Sequence, residues 1–327
     1  MDYTYFYKTK YNSINELEDC QYDVFISAFN DSERVKQVFY KLKSKHKYWL
    51  VFSEYDYKPS EINTLNDENA EIVEFANSEN EASIINNFIN RYKDIINIDK
   101  SICIDITGFI RPHLLFLIRK LFDLGFDKVD FIYTDPVSYK QRVNTDFSFE
   151  SLNVRHVAGF AGSHNTSNEN DYLIIAAGYD HERIRDVAKY KDQTTKIQLF
   201  GFPSLQPDMF QENIEKAYRA APETVSDDYM FIDEKFSIFA PANDPFVTAK
   251  QLSDFVKKVN KKKTITNLYL SPLSTKVQTL GFALYYIGQC LDQPVSVIFP
   301  FCSKYSKETS TGISKIWIYS VEFNLFR

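Results

Sequence analysis

Short apolar runs alternate with amphipathic segments along most of this 327-residue chain. The runs are rich in β-branched and aromatic residues, as β-strands are. Between them, apolar residues recur at the three- and four-residue spacing of a buried helix face. This alternation predicts βα units with mainly parallel sheets, and therefore an α/β fold. In the first half, the predicted strands are 22–29, 48–52, 71–75, 102–105 and 129–134, and the predicted helices are 33–45, 82–92 and 112–124.

One strand–helix–strand stretch occurs twice. Residues 101–139 and residues 267–305 show the same order of apolar run, polar turn, helix and apolar run. A shift of 166 positions superimposes the two stretches, and such a repeat indicates an internal duplication. The shift pairs Asp105 with Ser271, Arg111 with Val277, and Tyr139 with Tyr305.

A second pair of segments supports the duplication. AFNDSERVKQV at 28–38 and AGYDHERIRDV at 177–187 keep an Asp, a Glu and an Arg in phase. We therefore predict two tandem Rossmann-like, three-layer lobes with mainly parallel sheets, related by a pseudo-two-fold axis. The first lobe spans 1–140, an extension and linker spans 141–170, and the second lobe spans 171–327. The strand-like pieces at 152–157 and 313–323 would add one strand per lobe.

Open parallel sheets bind ligands beyond the carboxyl ends of their strands, where the strand order reverses. Four loops meet this condition, at 29–32, 107–111, 178–181 and 273–276. They combine hydroxyls, helix N-termini and a cation, a set that suits a phosphate or carboxylate. The predicted ligand-binding residues are Asn30, Asp31, Thr107, Gly108, Arg111, Tyr179, Asp180, Ser274, Thr275 and Lys276.

Simpler roles compete with binding at these loops. Ser and Thr are common helix caps, and acids in a first helical turn, such as Glu33 and Glu182, offset the helix dipole. His113 and His181 each lie beside a loop without an evident carboxylate or cysteine partner in the sequence. None of the common glycine-rich phosphate loops, zinc motifs or nucleophile elbows is present. No catalytic residue, metal ligand or cofactor is therefore assigned.

Charge and cysteine content restrict the class of protein. A net charge of −6 gives no general affinity for nucleic acid. The basic run 257–263 is interpreted as a solvated helix C-terminus that complements the dipole, with a phosphate contact as the alternative. The four cysteines lack metal-like spacing, and the sequence shows neither a signal core nor a long apolar run. We therefore expect a cytoplasmic protein that does not cross a membrane.

The turn IDITGF (104–109) resembles the strand-to-helix turn of CARF domains, and LSTK (273–276) resembles the later part of that turn. The resemblance implies a Rossmann-like fold that grips a cyclic oligonucleotide across a two-fold axis. Some such proteins also cut that ligand as ring nucleases. The chain departs from the pattern in lacking a second Gly after Gly108 and any Gly in the 273–276 turn.

The segment DVFIS (23–27) resembles the first strand of TIR domains. That family includes NAD-cleaving enzymes that use a glutamate, and Glu54 is the nearest candidate here. The chain as a whole also resembles bacterial proteins encoded near anti-phage genes.

The leading hypothesis is a sensor that recognises a nucleotide-like anion at loops between the two lobes, in anti-phage defence. The first alternative is a nucleotide-processing enzyme, either a ring nuclease or an NAD glycohydrolase. The second is an adaptor that docks a protein partner through the extra segment 201–233. The cluster Ser274, Thr275 and Lys276 favours a site in the second lobe.

Overall fold

The computed structural model describes residues 1–62, 67–75, 80–139, 148–178, 180–206, 208–219, 236–307 and 310–327. It is a mixed α/β structure with two sheets of mostly parallel strands. This confirms the α/β class with mainly parallel sheets that the alternating pattern predicted.

The strands, in chain order, are β1 Tyr7–Tyr11, β2 Gln21–Ala28, β3 Lys43–Val51, β4 Ala70–Glu74, β5 Ile102–Asp105, β6 Lys128–Asp135, β7 Ser138–Tyr139, β8 Ser148–His156, β9 Tyr172–Ala176, β10 Thr195–Gly201, β11 Ser237–Ala240, β12 Leu268–Pro272, β13 Val295–Tyr305, β14 Ser310–Thr311 and β15 Lys315–Glu322. The α-helices are α1 Glu33–Lys41, α2 Pro59–Ile62, α3 Glu81–Arg91, α4 Arg111–Asp123, α5 His181–Tyr190, α6 Met209–Arg219, α7 Pro245–Asn260 and α8 Lys276–Gln289.

The chain divides into two compact units. The first unit comprises Tyr5–Phe149 and Ser303–Arg327, and the second comprises Met1–Thr4 and Glu150–Cys302. The first unit holds a seven-stranded sheet of order β1-β15-β6-β5-β2-β3-β4. The second holds a six-stranded sheet of order β11-β10-β9-β12-β13-β8.

Both sheets contain the same five-strand arrangement. Numbered along each unit, the strand order is 3-2-1-4-5 in β4-β3-β2-β5-β6 and again in β11-β10-β9-β12-β13. The matching elements keep the sequence offset: β5 begins at Ile102 and β12 at Leu268, and α4 ends at Asp123 and α8 at Gln289, each 166 residues apart. In each sheet the order reverses between the first and fourth strands, which brings the loops after them together.

Two strands lie in a different sheet from the strands that precede them in sequence. β8 follows the first unit's five strands in sequence but lies beside β13 in the six-stranded sheet. β15 follows the second unit's strands but pairs antiparallel with β6, from Lys315 opposite Asp135 to Glu322 opposite Lys128. The sequence predicted one extra strand per lobe from these two segments. It did not predict that the strands are exchanged.

An aromatic cluster forms much of the first unit's core. Phe39 of α1 stacks on Trp49 of β3 with ring centroids 4.1 Å apart, and Phe29 meets Trp49 edge-on at 4.9 Å. All three rings are fully buried. Helix α1 contributes Val35, Val38 and Phe39 to this core, the spacing of one helix face.

Two boundaries near the start of the first unit differ from the sequence prediction. Helix α1 was expected to continue to residue 45 but ends at Lys41, and β3 begins at Lys43. Parallel pairing of β3 with β2 from Lys43 opposite Gln21 explains this, since sheet pairing outweighs local helix propensity. Strand β1 was missed because its sequence, YKTKY, is exposed at four of five positions and lacks an apolar side.

Close packing of α7 on α8 requires a glycine in the second unit. A Cβ added to Gly281 would lie 2.5 Å from the carbonyl oxygen of Pro245 and 2.7 Å from Cβ of Thr248. Helix α8 is buried from Val277 through Ile287, which explains its nearly continuous apolar sequence. The N-terminus of α8 is therefore held in a fixed position at the carboxyl edge of the sheet.

Candidate functional site

The first unit places a buried acid at the carboxyl end of its fourth strand. Asp105 ends β5 and has no solvent exposure. Its Oδ2 accepts a hydrogen bond from Ser27 Oγ at 3.2 Å, and its Oδ1 accepts one from the Thr107 amide at 2.9 Å. Burial raises the pKa of Asp105 to about 6, although these hydrogen bonds and the charge of Arg34 act to lower it.

The loops after β2 and β5 approach each other closely at Gly108. A Cβ on Gly108 would lie 2.3 Å from the carbonyl oxygen of Ala28, a distance that no side chain tolerates. The Gly108 carbonyl accepts a hydrogen bond from the buried Tyr55 hydroxyl at 3.0 Å. Thr107 Oγ1 lies 3.3 Å from Thr134 Oγ1 and accepts from the Thr134 amide at 3.2 Å. Thr107 and Gly108 therefore hold the turn in shape.

Residues 303–307, which include the end of β13 and belong to the first unit, contact the loop after β2 and the segment that follows β3. Asn30 Nδ2 donates to the Lys307 carbonyl at 2.6 Å. Lys307 Nζ lies 2.9 Å from both carboxylate oxygens of Glu61, and Lys304 Nζ lies 2.9 Å from Asp56 Oδ2. The Asn30 side chain is thus engaged by the chain itself.

The other two residues predicted for the first unit also have partners. Asp31 forms an ion pair with Lys36, and its amide donates to the Tyr57 hydroxyl at 3.0 Å. Arg111 is the first residue of α4 and is partly exposed. Its charge lowers the pKa of the Tyr55 phenol, but the larger effect of burial raises that pKa overall.

The second unit repeats the close approach of two loops with the glycine on the opposite loop. A Cβ on Gly178, after β9, would lie 2.2 Å from the carbonyl oxygen of Leu273, after β12. Only the residue without a Cβ fits there. Its neighbour Tyr179, predicted to bind ligand, lies outside the described residues. In the second unit the glycine therefore lies in the loop after β9, the first of the five strands. In the first unit it lies in the loop after β5, the fourth of the five strands.

Thr275 joins two carboxyl-edge loops of the second unit. It is the N-cap of α8, where its Oγ1 accepts from the Gln278 amide at 3.1 Å. The same hydroxyl donates to the carbonyl of Ala242, in the loop after β11, at 2.7 Å. Ser274 is buried beside it, and Lys276, the first residue of α8, is partly exposed. These three predicted residues are brought together, as consecutive positions require.

Two buried polar atoms at this edge lack hydrogen-bond partners among the described residues. Gln278 is fully buried, and its Nε2 donates to the Ala240 carbonyl at 3.3 Å while its Oε1 accepts nothing. Ser271, the fourth residue of β12 as Asp105 is of β5, is also fully buried with an unsatisfied Oγ. An unsatisfied buried group costs ~1–3 kcal/mol and needs a physical reason. Sequence inspection did not single out Gln278, whose amide lies within an apolar helix.

The two matched arginines take equivalent positions in their units. Arg34 donates from Nη1 to the Thr134 carbonyl at 2.6 Å and lies 5.9 Å from the Tyr133 ring. Arg183 pairs with Asp180, with Nε 3.1 Å from Oδ2, and lies 6.0 Å from the Phe299 ring. Tyr133 and Phe299 are 166 residues apart, so each arginine reaches from the first helix to the fifth strand of its own unit.

Asp180 is also a helix cap. Its Oδ1 accepts from the Arg183 amide at 3.3 Å at the start of α5. The carboxylate therefore serves both the helix terminus and the Arg183 guanidinium. A ligand at this loop would meet a paired acid and cation, not an isolated negative charge.

The structure places a carboxylate near His113, for which the sequence showed no evident partner. His113 in α4 is buried, and its Nε2 lies 3.5 Å from Glu54 Oε1. The His113 ring packs 4.4 Å from the Phe52 ring. Glu54 belongs to the turn after β3, so only the fold reveals this acid–base pair. His181 begins α5 and is partly exposed.

Within the described ranges, no group of three or more His, Cys, Asp or Glu side chains could hold a metal ion. Over the same ranges, no helix has the length and apolar character needed to span a membrane.

A comparison with protein-family models found none that matches the chain, and a comparison with curated proteins found no match.

Proposed function

We propose that the protein is a duplicated Rossmann-like sensor that binds a nucleotide-like anion at the carboxyl edge of its second unit. The observation that carries the proposal is the first turn of α8. There the N-cap Thr275, the adjoining Ser274 and Lys276, and the buried amide of Gln278 lie within five residues, at the point where the strand order reverses. Helix N-termini and a nearby cation favour phosphate groups.

The equal strand order of the two sheets supports the duplication, and the 166-residue offset of β5 to β12 and of α4 to α8 supports it again. The second unit is favoured over the first because α8 begins with the hydroxyl-bearing N-cap Thr275, whereas the N-cap of α4 in the first unit is Ile110, which has no polar side chain. The anti-phage context is a hypothesis from the resemblance of the whole chain to bacterial proteins encoded near anti-phage genes. The cytoplasmic setting is a hypothesis from the sequence, which shows no signal core.

The test compares one cation from each unit. Binding of mononucleotides, dinucleotides and cyclic oligoadenylates is measured by thermal shift and calorimetry on the wild type, Lys276→Gln and Arg111→Gln. We expect Lys276→Gln to lower the affinity for the nucleotide that the wild type binds about tenfold or more, since a charge-assisted contact contributes ~1.5–3 kcal/mol. Arg111→Gln should change binding less than threefold. Equal affinity of the wild type and Lys276→Gln for every bound nucleotide would contradict the proposed site.

A second candidate function, nucleotide hydrolysis, rests on the Glu54–His113 pair in the first unit. The 3.5 Å separation is longer than a hydrogen bond, and its closure when a ligand binds would orient the imidazole for general acid–base chemistry. Incubation with NAD and with cyclic oligoadenylates, followed by chromatography, separates the two functions. Turnover that Glu54→Gln abolishes supports the enzyme, and an intact ligand that raises the melting temperature supports the sensor.

A further inference from the structure

A cavity of about 260 Å³ lies at the edge of the second unit's sheet opposite the candidate site. Tyr172 and Thr195, the first residues of β9 and β10, mark the amino ends of those strands and line this cavity. The last turns of α7 form another wall through Phe255 and Lys258. The volume is slightly below the ~300–1,000 Å³ of drug-sized sites, so the cavity suits a small ligand.

Aromatic side chains form the apolar part of the cavity. Tyr172, Phe236 and Phe255 line it, and the rings of Tyr172 and Phe255 meet edge-on with centroids 6.5 Å apart. Burial raises the pKa of the Tyr172 phenol, so the hydroxyl stays neutral and the wall uncharged on that side. Three rings around one small space are suited to stacking an aromatic ligand.

Lysines form the polar part. Lys258, Lys262 and Lys263 line the cavity, all three are solvent-exposed residues, and the lining contains no acid. In the described part of the chain, Lys258 and Lys262 make no ion pair or side-chain hydrogen bond. Lys263 Nζ donates to the Glu169 carbonyl at 3.4 Å. The cavity thus concentrates positive charge in a chain whose net charge is −6.

Complementing the dipole of α7 does not by itself account for this arrangement. The helix ends at Asn260, and its last turn contains Lys257 and Lys258. Of the three lining lysines, Lys262 and Lys263 therefore lie beyond the helix. A helix C-terminus carries about half a negative charge, which one lysine already offsets. The three cations together leave a clear positive excess beside the aromatic wall.

We propose that this cavity binds a small aromatic anion, an aryl phosphate or aryl carboxylate. The ring packs against Tyr172 and Phe255, and the anionic group lies between Lys258 and Lys262. An aromatic ring with an attached anion matches both halves of the cavity, whereas inorganic phosphate matches only the lysines and a neutral arene only the rings. The site is independent of the function proposed above, because it uses the opposite edge of the sheet.

The experiment uses 2-naphthyl phosphate, whose fluorescence reports binding, on the full chain. Neutral 2-naphthalenemethanol and inorganic phosphate serve as half-ligands. We expect saturable binding of 2-naphthyl phosphate at least tenfold tighter than either half-ligand, and weaker at 300 mM than at 50 mM salt because the lysines are exposed. Equal affinity for the aryl phosphate and the neutral arene would overturn the proposal, and so would the absence of saturable binding.

Matched variants locate the site. Lys258→Gln and Lys262→Gln should each lower the affinity for 2-naphthyl phosphate about fivefold. Phe255→Leu keeps an apolar side chain but removes the ring, and it should lower the affinity at least as much. Lys261→Gln removes a cation from the same basic run that does not line the cavity, and it should change affinity less than twofold. An equal loss in Lys261→Gln and Lys258→Gln would show unspecific attraction and overturn the assignment. Lys276→Gln should leave this binding unchanged.

Discussion

Replacing the buried Asp105 by Asn should change how the stability of the protein depends on pH. The carboxyl group is fully buried, and burial raises its pKa from 3.8 to about 6. The folded protein therefore holds this proton more tightly than the unfolded chain does. Between about pH 4 and pH 6 the folded state binds more protons, so the free energy of unfolding falls as pH rises through that interval.

The size of the effect follows from the pKa difference. The rise from 3.8 to about 6, at ~1.36 kcal/mol for each pH unit, corresponds to about 3 kcal/mol. Asn keeps the shape and the acceptor for the Thr107 amide, and its Nδ2 can donate to Ser27 Oγ in place of the bond at 3.2 Å. We expect Asp105→Asn and the wild type to be nearly equal near pH 4. The variant should be more stable by about 2–3 kcal/mol at pH 7.5.

The assay is urea denaturation of both proteins from pH 4 to pH 8, at intervals of half a pH unit. Circular dichroism and tryptophan fluorescence monitor the unfolding. Trp49 and Trp317 both lie in the first unit, so fluorescence follows the unit that contains Asp105. Ser271→Ala is the matched control, because Ser271 occupies the equivalent strand position without a charge. Its effect on stability should be the same at every pH and no larger than the ~1–3 kcal/mol that an unsatisfied buried hydroxyl costs. Parallel pH profiles for the wild type and Asp105→Asn would refute the assignment of a buried, proton-binding acid.

Two further predictions concern the framework. Gly108→Ala should destabilise the first unit by about 2–4 kcal/mol in urea denaturation, because its Cβ would lie 2.3 Å from the Ala28 carbonyl oxygen. Gly125→Ala, at a positive φ of 88° with open space around it, should cost only about 1 kcal/mol, and equal losses would contradict the steric argument. Deleting 315–327, which removes β15 from between β1 and β6, should leave the first unit open to limited proteolysis while the second keeps its protection. Undiminished protection of the first unit would contradict the pairing of β15 with β6.

The sequence predicted several buried strands and one-sided helices of the α/β fold well. Strand β5 was predicted at its observed bounds, and α4 was placed within one residue of its observed start at Arg111. Buried strands and one-sided helices leave a strong periodic pattern, and these elements have it. The exposed edge strand β1 has no such pattern and was missed.

The candidate site was less predictable, because its contacts join residues far apart in sequence. Residue spacing showed that Ser274, Thr275 and Lys276 would share a turn. It could not show that Asn30 bonds the carbonyl of Lys307, 277 residues away. The Glu54–His113 pair is equally non-local, since it joins the turn after β3 to a helix that follows β5. Tertiary contacts of this kind leave no local pattern in the sequence.

The exchange of last strands has a consequence for synthesis on the ribosome. Among the described residues, strand β1 pairs in its sheet with β15 alone, from Tyr7 opposite Ser320 to Tyr11 opposite Ile316. After β6 ends at Asp135, about 180 residues are translated before β15 begins at Lys315. At ~5–20 residues per second this takes roughly 10–35 s. During that interval the edge of β6 that later pairs with β15 is an unpaired strand edge, a surface prone to aggregation. Strand β1 is thus made before the other strands of its sheet and is among the last of them to be paired.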